Sequence, residues 1–397
     1  MRISTQSFFQ LGSAGISSLQ QQLFRTQQKL GAGTKFLTPS DDPVAAARAV
    51  GVSETMAENS QYASSRSRAV QTLSMEENAL QQGTSCLQDI KTLIVQGGNG
   101  NMSDADRAAT ATALEGDFAQ LLRVANSDDG NGQFLFAGFR TGNAPFVQQA
   151  DGSIAYSGDT GRRLLQVDVA RQMAATDDGA AVFQSVQGSA AHVPSAGANN
   201  TGTGVMSDIS VADGKNYTVT FGAAGAYTVD DGSGNPPVTG VLAAGAAIHA
   251  GGLHVTIDGT PAAGDTFTIA RNTSGPQADV FQAIRDVINA LKAPVTDEVA
   301  NAKLQNALST ANAKVTNAHD NVLTVRASVG TRLAELDTLD ASGQQQSVVA
   351  QTYLSQLQDL DYASAITEFS QRQMNLQASE QTFARLQTIS LFNYLQS

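Results

Sequence analysis

Two long proline-free tracts, both with apolar residues at helical spacing, place the strongest constraint on the fold. The nine prolines leave two such gaps, one between Pro43 and Pro145 and one after Pro294. A proline inside a helix costs about 3 kcal/mol or more, so both tracts permit long helices. Apolar residues recur seven apart in the first tract and in steps of four and three in the second: Leu73, Leu80, Leu87 and Ile94; Leu304, Leu308, Ala311, Val315, Ala318, Val322, Val325, Val329 and Leu336. This period predicts helices that pack antiparallel, residues 44–126 against residues 277–340.

The two ends of the chain carry a similar stripe. Residues 1–40 contain four basic residues and no acid, whereas residues 359–397 contain four acids and two arginines. These opposite charges favour pairing of the two arms. Two thin helices cannot bury all their apolar residues against each other, and an apolar patch left over usually marks an interaction surface. We therefore expect an assembly interface on the arms, formed by Ile16, Leu19, Leu23, Leu30, Phe369, Leu376, Phe383, Leu386, Leu391 and Tyr394.

The stripes on the arms have an alternative interpretation as ordinary core. For the inner stripes, from Leu73 to Ile94 and from Leu304 to Val329, we prefer that interpretation. For the arms we favour contact between subunits, since nothing else in the chain is available to cover them. The accompanying hypothesis is that the arms are poorly ordered in the monomer and fold when subunits assemble.

A short polar run separates the first arm from the first long tract. It consists of Pro39, Ser40, Asp41, Asp42 and Pro43. Ser40, Asp41 or Asp42 can accept hydrogen bonds from free amides of the following helix, and Pro43 suits its first turn. We interpret the run as a helix cap rather than as an acid–base pair, because capping explains both aspartates without special chemistry.

Between the helical tracts the period changes to two. Phe134 and Phe136 alternate, as do Ile154 and Tyr156, which predicts hairpins within residues 133–170. Residues 185–275 hold 16 of the 36 glycines and alternate again around Tyr217, Leu253 and Phe267. The predicted fold is mainly α with an inserted β domain. Terminal coiled-coil arms (1–40 and 360–397) flank an elongated α-helical rod with β-hairpins (41–184 and 276–359), which carries a Gly-rich β insert (185–275).

Composition excludes several classes of function. The net charge of −12 argues against nucleic-acid binding. The sequence contains no run of 18 or more apolar residues, so we expect no membrane-spanning helix. Its first residues do not resemble a signal peptide. The four histidines and single cysteine form no H-E-x-x-H motif or Cys/His pair, and there is no phosphate-binding loop. His249 and His254 as zinc ligands, and residues 230–235 as a calcium loop, are disfavoured, so we expect no catalytic, cofactor or metal site and no enzyme activity.

Several short motifs resemble the flagellin superfamily, and more narrowly its members at the hook–filament junction. They are residues 1–5 (Met-Arg-Ile-Ser-Thr), 38–46, 134–139 (Phe-Leu-Phe-Ala-Gly-Phe), 329–333, 361–366 and 390–395. The resemblance implies a structural, homo-oligomeric axial protein of the bacterial flagellum. It would stand between hook-associated protein 1 and flagellin and template flagellin polymerisation. It also implies an extracellular location, reached through the flagellar export apparatus without a cleaved signal, and an export chaperone that holds the region from Phe369 to Leu395.

Two alternatives to the junction role stay open. The chain could be a filament-forming flagellin, although residues 31–37 (Gly-Ala-Gly-Thr-Lys-Phe-Leu) stand where flagellins usually carry a different stretch. The β insert could instead act as an exposed adhesive or binding module, although it shows no obvious aromatic cluster.

Overall fold

The computed structural model describes residues 5–186, 191–243, 246–271 and 278–395, without the side chains of residues 5, 6, 8 and 386–395. The helices of this part of the chain are α1 (Thr5–Ala32), α2 (Pro43–Gly97), α3 (Asp104–Ala125), α4 (Gly179–Phe183), α5 (Val280–Lys292), α6 (Glu298–Gln358) and α7 (Tyr362–Leu395). Its strands are β1 (Phe146–Gln148), β2 (Ile154–Tyr156), β3 (Leu164–Asp168), β4 (Arg171–Ala174), β5 (Val193–Ala196), β6 (Val205–Val211), β7 (Tyr217–Phe221), β8 (Ala226–Asp230), β9 (Val238–Val241), β10 (Ala247–Ala250), β11 (Leu253–Asp258) and β12 (Thr266–Ala270). The predicted fold class, mainly α with a β-rich insert, is confirmed.

The chain divides into two units. One comprises Met1–Ser64 and Leu339–Ser397, and the other comprises Ser65–Thr338. The three-part division predicted from sequence, with boundaries near residues 40, 185, 275 and 360, stays a prediction.

The inner heptad stripes form the core of the unit Ser65–Thr338. Leu73, Leu80 and Leu87 on α2 are fully buried, as are Val315, Val322 and Val329 on α6. The two helices run antiparallel there: Arg326 pairs with Glu77, with Nη2 and Oε1 2.6 Å apart, and Gln305 Nε2 donates to the carbonyl of Gly98 at 3.3 Å. The predicted direction of pairing is confirmed for this part of the helices.

Shorter elements cover this core. Helix α3 begins at a complete capping box, in which Ser103 and Asp106 exchange hydrogen bonds. Phe118 on α3 packs edge-to-face on Phe281 of α5, with ring centroids 6.0 Å apart. Phe146 and Phe183 extend the aromatic cluster, with ring centroids 5.6 Å apart. The stripe on α2 is thus enclosed from several sides.

The hairpin prediction is partly wrong. Strands β1 and β2 pair antiparallel, as do β3 and β4. Phe134, however, forms only an isolated antiparallel bridge with Asp128, and Phe136 lies in a turn, so neither residue belongs to a strand. Phe134 N–H donates to Thr141 and Leu135 N–H to Ser127, and Gly138 has a φ of +68°. Phe136 is fully buried and packs edge-to-face on Phe183, with ring centroids 5.5 Å apart, so this position is apolar without belonging to a strand.

The β insert has the alternation that the sequence predicts. Its strands form a five-stranded antiparallel sheet in the order β5-β12-β7-β8-β9 and a three-stranded sheet in the order β10-β11-β6. Both sheets contribute to one core, which includes Tyr217, Val219, Phe221, Leu253, Val255, Ile257, Phe267 and Ile269. The predicted strands around Tyr217, Leu253 and Phe267 are therefore confirmed.

Candidate functional site at the paired terminal helices

The helices from the two ends of the chain pair with each other. Where α1 ends, Lys35 N–H donates to the carbonyl of Gln358 at 2.7 Å, and Leu360 N–H donates to the carbonyl of Gly33 at 2.9 Å. These bonds form a short antiparallel bridge between Thr34 and Asp359. From this bridge, α1 and α7 run antiparallel, and Phe9 meets Phe383 far from it, with ring centroids 5.0 Å apart.

The predicted stripes form the seam between these two helices. On both helices the half-buried and buried positions recur in steps of four and three: Gly12, Ile16, Leu19, Leu23, Thr26 and Leu30 on α1; Ala365, Phe369, Arg372, Leu376, Ser379 and Phe383 on α7. Seven predicted interface residues, Ile16, Leu19, Leu23, Leu30, Phe369, Leu376 and Phe383, therefore lie in a seam within one chain. All seven stay half-buried, because a pair of helices covers each stripe from one side only.

The remaining predicted residues lie near the end of α7. Leu386, Leu391 and Tyr394 belong to its helical backbone, and their side chains lie outside the described residues. Their place in an interface stays a prediction.

Glycines contribute to the seam in a way that our sequence reasoning missed. A Cβ atom added to Gly12 would lie 2.6 Å from Cε2 of Phe383, so the absence of a side chain there lets the ring approach α1. Gly33, which follows α1, has a φ of +70°, and a Cβ there would lie 2.8 Å from the hydroxyl of Tyr362. The position of Gly12 four residues before Ile16, within the stripe, was the available signal.

Three polar residues interrupt the apolar seam, Thr26, Arg372 and Ser379, and the first two form hydrogen bonds within the chain. The Thr26 hydroxyl donates to the carbonyl of Gln22 at 3.0 Å. Arg372 Nη1 donates to the same carbonyl at 3.1 Å and pairs with Glu368 on its own helix. These bonds satisfy the polar groups without requiring a second chain.

The predicted helix-cap motif lies between α1 and α2. Asp42 Oδ1 accepts from Ala45 N–H at 2.9 Å, so Asp42 caps α2, and Pro43 is its first residue. Asp41 Oδ2 instead accepts from the N–H groups of Leu37 and Thr38, and these bonds hold the pKa of its carboxyl below the usual value. Ser40 Oγ lies 2.8 Å from Thr38 Oγ1, and Pro39 lies between them in the turn.

A matching cap at α7 escaped our sequence reasoning. Asp361 Oδ1 accepts from Ala363 N–H at 3.0 Å, and Oδ2 accepts from the hydroxyl of Ser364 at 2.8 Å. The bonds from Ser364 lower the pKa of Asp361. An aspartate followed three residues later by a serine, just before an apolar period, was a sufficient signal.

Large apolar side chains remain exposed on the outer faces of the pair. Leu11 and Phe24 on α1 are 70% and 60% exposed, and Met374 on α7 is 61% exposed. Leu11, Gly12, Ile16 and Leu19 line an open groove of about 680 Å³ together with Thr382 and Phe383. These surfaces can bury further apolar area against another helix.

The residues that the structure describes contain no group of three or more His, Cys, Asp or Glu side chains arranged to hold a metal ion. The rings of His249 and His254 lie 4.6 Å apart on adjacent strands. Within the same residues, no helix is long and apolar enough to cross a membrane.

Comparison with known proteins gives the family. The model of the bacterial flagellin N-terminal helical region matches residues 3–141, and that of the C-terminal helical region matches residues 312–395. Flagellar hook-associated protein 3 of Salmonella typhimurium is 33% identical over 393 residues, which are 99% of each chain. The chain belongs to the flagellar hook-associated protein 3 family.

Solved structures of the hook-associated protein 3 family have the same fold. The structure of Xanthomonas campestris FlgL is 30% identical, with a TM-score of 0.68, over 77% of this chain and 99% of that one. The structure described as the flagellar junction protein FlgL from Legionella pneumophila is 26% identical, with a TM-score of 0.65, over 79% of this chain and all of that one. The β insert matches a further model over residues 195–271, the D2-like domain of flagellar hook-associated protein 1. The resemblance to the flagellin superfamily is therefore confirmed.

Proposed function

We propose that this chain is a structural subunit that joins the hook of the bacterial flagellum to its filament. It forms a homo-oligomer in the axial lattice, contacts hook-associated protein 1 on one side and flagellin on the other, and templates flagellin polymerisation. The observation that carries the proposal is the match to hook-associated protein 3 over 99% of both chains. The paired terminal helices supply the physical means of assembly.

Burial of apolar surface drives this assembly. The seam residues are half-buried in a single chain, and Leu11, Phe24 and Met374 are mostly exposed. Each Å² of apolar surface removed from water contributes roughly 25 cal/mol, so neighbouring pairs of α1 and α7 gain by packing together. The interface then contains the ten residues predicted from sequence, with Leu386, Leu391 and Tyr394 at the end of α7.

The place of action is the flagellum, outside the cell. Family membership supports export through the flagellar secretion apparatus, with a chaperone holding the C-terminal arm before export. The role is structural rather than catalytic.

The test of the junction role is a clean deletion in the source bacterium. Electron microscopy of the cells and analysis of the medium should find hooks without filaments and unassembled flagellin outside the cells. Filaments with a normal junction would overturn the proposal. Restoration of filaments by the wild-type chain would tie the defect to this protein.

A single substitution tests the proposed surface. Met374→Asp places a carboxylate where the folded chain is exposed, so its free energy of unfolding should change by only about 0.5 kcal/mol. In the assembled lattice that carboxylate becomes buried, which costs several kcal/mol. The variant should be exported but should fail to restore filaments to the deletion strain.

The matched control is Val241→Asp. Val241 is 70% exposed on β9 in the insert, outside the proposed surface. This variant should restore filaments at the wild-type level. Normal filaments with Met374→Asp would show that the outer face of α7 is not an assembly surface.

A further inference from the structure

Both inner heptad stripes carry one ionisable residue in an apolar slot. Glu76 lies three residues after Leu73 and four before Leu80 on α2. Arg332 lies three residues after Val329 and four before Leu336 on α6. Polar residues at such positions cost stability, so their presence in stripes otherwise built of Leu, Ile, Val and Ala calls for a reason.

The two residues meet around a third one. Asp177 lies between β4 and α4, and its N–H donates to Glu76 Oε1 at 3.2 Å. Arg332 pairs with the Asp177 carboxylate, and its Nη1 donates to the carbonyl of Ala174 at 3.0 Å. The segment that contains Ala174 and Asp177 is thereby held on one side by α2 and on the other by α6.

The arginines of this cluster form ion pairs with Asp177 and not with Glu76. Arg332 and Arg162 both pair with Asp177, the latter with Nε and Oδ1 3.8 Å apart. Among the described residues Glu76 forms no ion pair, although it is 0% exposed, and its Oε2 is buried without a hydrogen-bond partner. An ionised carboxylate in that position would be desolvated, with one oxygen unsatisfied and a second carboxylate beside it.

The pKa of the Glu76 carboxyl is shifted in the direction that this geometry requires. Burial raises the pKa of Glu76 well above its usual value, and the charge of Asp177 raises it further. Arg332 acts in the opposite direction without cancelling these effects. A neutral acid needs less solvation than a carboxylate and leaves a single negative charge for the two arginines.

We propose that Glu76 keeps its proton in the folded chain, so that Glu76 and Asp177 form a pH-sensitive carboxyl pair that fastens residues 174–178 to α2 and weakens in alkaline medium. The charged groups that face Glu76 are Asp177 from this segment and Arg332 from α6, with Arg162 behind Asp177. The device is independent of how the terminal helices assemble.

The sign of the pH dependence follows from proton binding. In the unfolded chain Glu76 loses its proton near its ordinary pKa of 4.5, whereas in the folded chain it keeps the proton to a higher pH. Between these two values the folded state binds one more proton than the unfolded state, so stability falls as the pH rises. The contribution of Glu76 is fully present below about pH 4.5 and is lost as the pH rises through the folded pKa.

The test compares the full-length wild type with Glu76→Gln in urea unfolding from pH 5 to pH 9. Glutamine has the shape of the neutral acid and cannot ionise. The unfolding equilibrium constant of the wild type should rise relative to that of the variant by up to tenfold per pH unit. The stability of Glu76→Gln relative to the wild type should therefore increase with pH until the folded pKa of Glu76 is passed.

The matched control is Glu335→Gln, the same chemical change on α6. Glu335 is hydrogen-bonded to Arg171, which lowers its pKa, so its contribution is present throughout this pH range. Glu335→Gln should therefore lower the free energy of unfolding by the same amount at every pH in this range. Parallel pH profiles for wild type and Glu76→Gln would overturn the proposal.

A second measurement does not depend on unfolding. The infrared spectrum of the folded wild type at neutral pH should contain a band of a protonated carboxylic acid that is missing from Glu76→Gln. The band should persist while the stability falls and should disappear as the pH rises through the folded pKa, where the stability difference from Glu76→Gln stops changing. Spectra without this difference would show that Glu76 is ionised in the folded chain and would refute the pair.

Discussion

The two pairs of heptad helices follow the same sequence pattern but differ in burial. On α2, Leu73, Leu80 and Leu87 are fully buried, whereas on α1 the equivalent Ile16, Leu19 and Leu23 remain half-buried. In the unit Ser65–Thr338, the aromatic cluster and α3 and α5 enclose the stripe, while α1 and α7 cover each other from one side. Heptad spacing therefore predicts a helix and its apolar face, but not how many neighbours that face has.

The largest expected effect on stability is in the enclosed stripe. Leu87→Ala removes a side chain that is 0% exposed and leaves a cavity. Such changes cost about 2–5 kcal/mol. Urea unfolding should show this loss as a lower midpoint with an unchanged slope.

The same substitution in the arm sharpens the comparison. Leu19→Ala removes a side chain that is only half-buried, and the groove beside it is open to water. It should cost less than half as much as Leu87→Ala. Equal losses would mean that the arm seam is as enclosed as the inner one, and would contradict the comparison.

The sequence predicted much of the fold because the dominant elements are periodic. Long helices, the antiparallel inner pair and the strands of the insert all follow from spacing. Phe134 and Phe136 misled the prediction, because alternation over three residues cannot separate a strand from an irregular segment in which one ring, that of Phe136, packs into a core. Burial in the aromatic cluster depends on residues far away in sequence, such as Phe281.

The candidate site was predictable in its residues but not in its geometry. The stripe of Ile16, Leu19 and Leu23 was evident and the opposite charges of the arms favoured their pairing, but neither feature showed how much of the stripe the pairing leaves uncovered. Glu76 and Arg332 occupied regular stripe positions and were passed over because they are polar. A charged residue in an apolar slot becomes informative only when its partner is known, and Asp177 lies about a hundred residues away from Glu76.

The next prediction concerns a charge introduced into the seam between α1 and α7. Leu376→Asp places a carboxylate against α1, opposite the apolar stripe of that helix. Because Leu376 is only half-buried, the substitution should weaken the pairing of α1 with α7 within one chain by about 1–2 kcal/mol. We expect α1 and α7 to separate, while the unit Ser65–Thr338 stays folded. Circular dichroism should show a partial loss of helix, and the variant should fail to restore filaments in the deletion strain.

Gln377→Asp is the control for this change. It adds the same charge one residue further along α7, at an exposed position. Helix content should match the wild type, because Gln377 does not face α1. If Leu376→Asp restored filaments, pairing of α1 with α7 could not be a condition for assembly.

A comparison of two helix caps includes the smallest expected effect, that of Asp42→Ala. Asp279 caps α5 in the enclosed unit, where its Oδ1 accepts from Phe281 N–H at 2.8 Å and its Oδ2 accepts from Gln184 at 2.9 Å. Asp42 caps α2 from an exposed turn with a single bond to Ala45. Loss of a cap costs about 0.5–2 kcal/mol, and buried donors left without a partner bring the cost toward the upper end.

Asp279→Ala should therefore destabilise its unit by about 2 kcal/mol, and Asp42→Ala should cost about 0.5–1 kcal/mol because water replaces the lost acceptor. Urea unfolding measures the first, and hydrogen exchange of the first turn of α2 measures the second. Asp279→Asn and Asp42→Asn keep an acceptor oxygen in place and should recover most of each loss. If Asp42→Ala cost as much as Asp279→Ala, the turn before α2 would have to be shielded from water, and the contrast between open and enclosed regions would not extend to their caps.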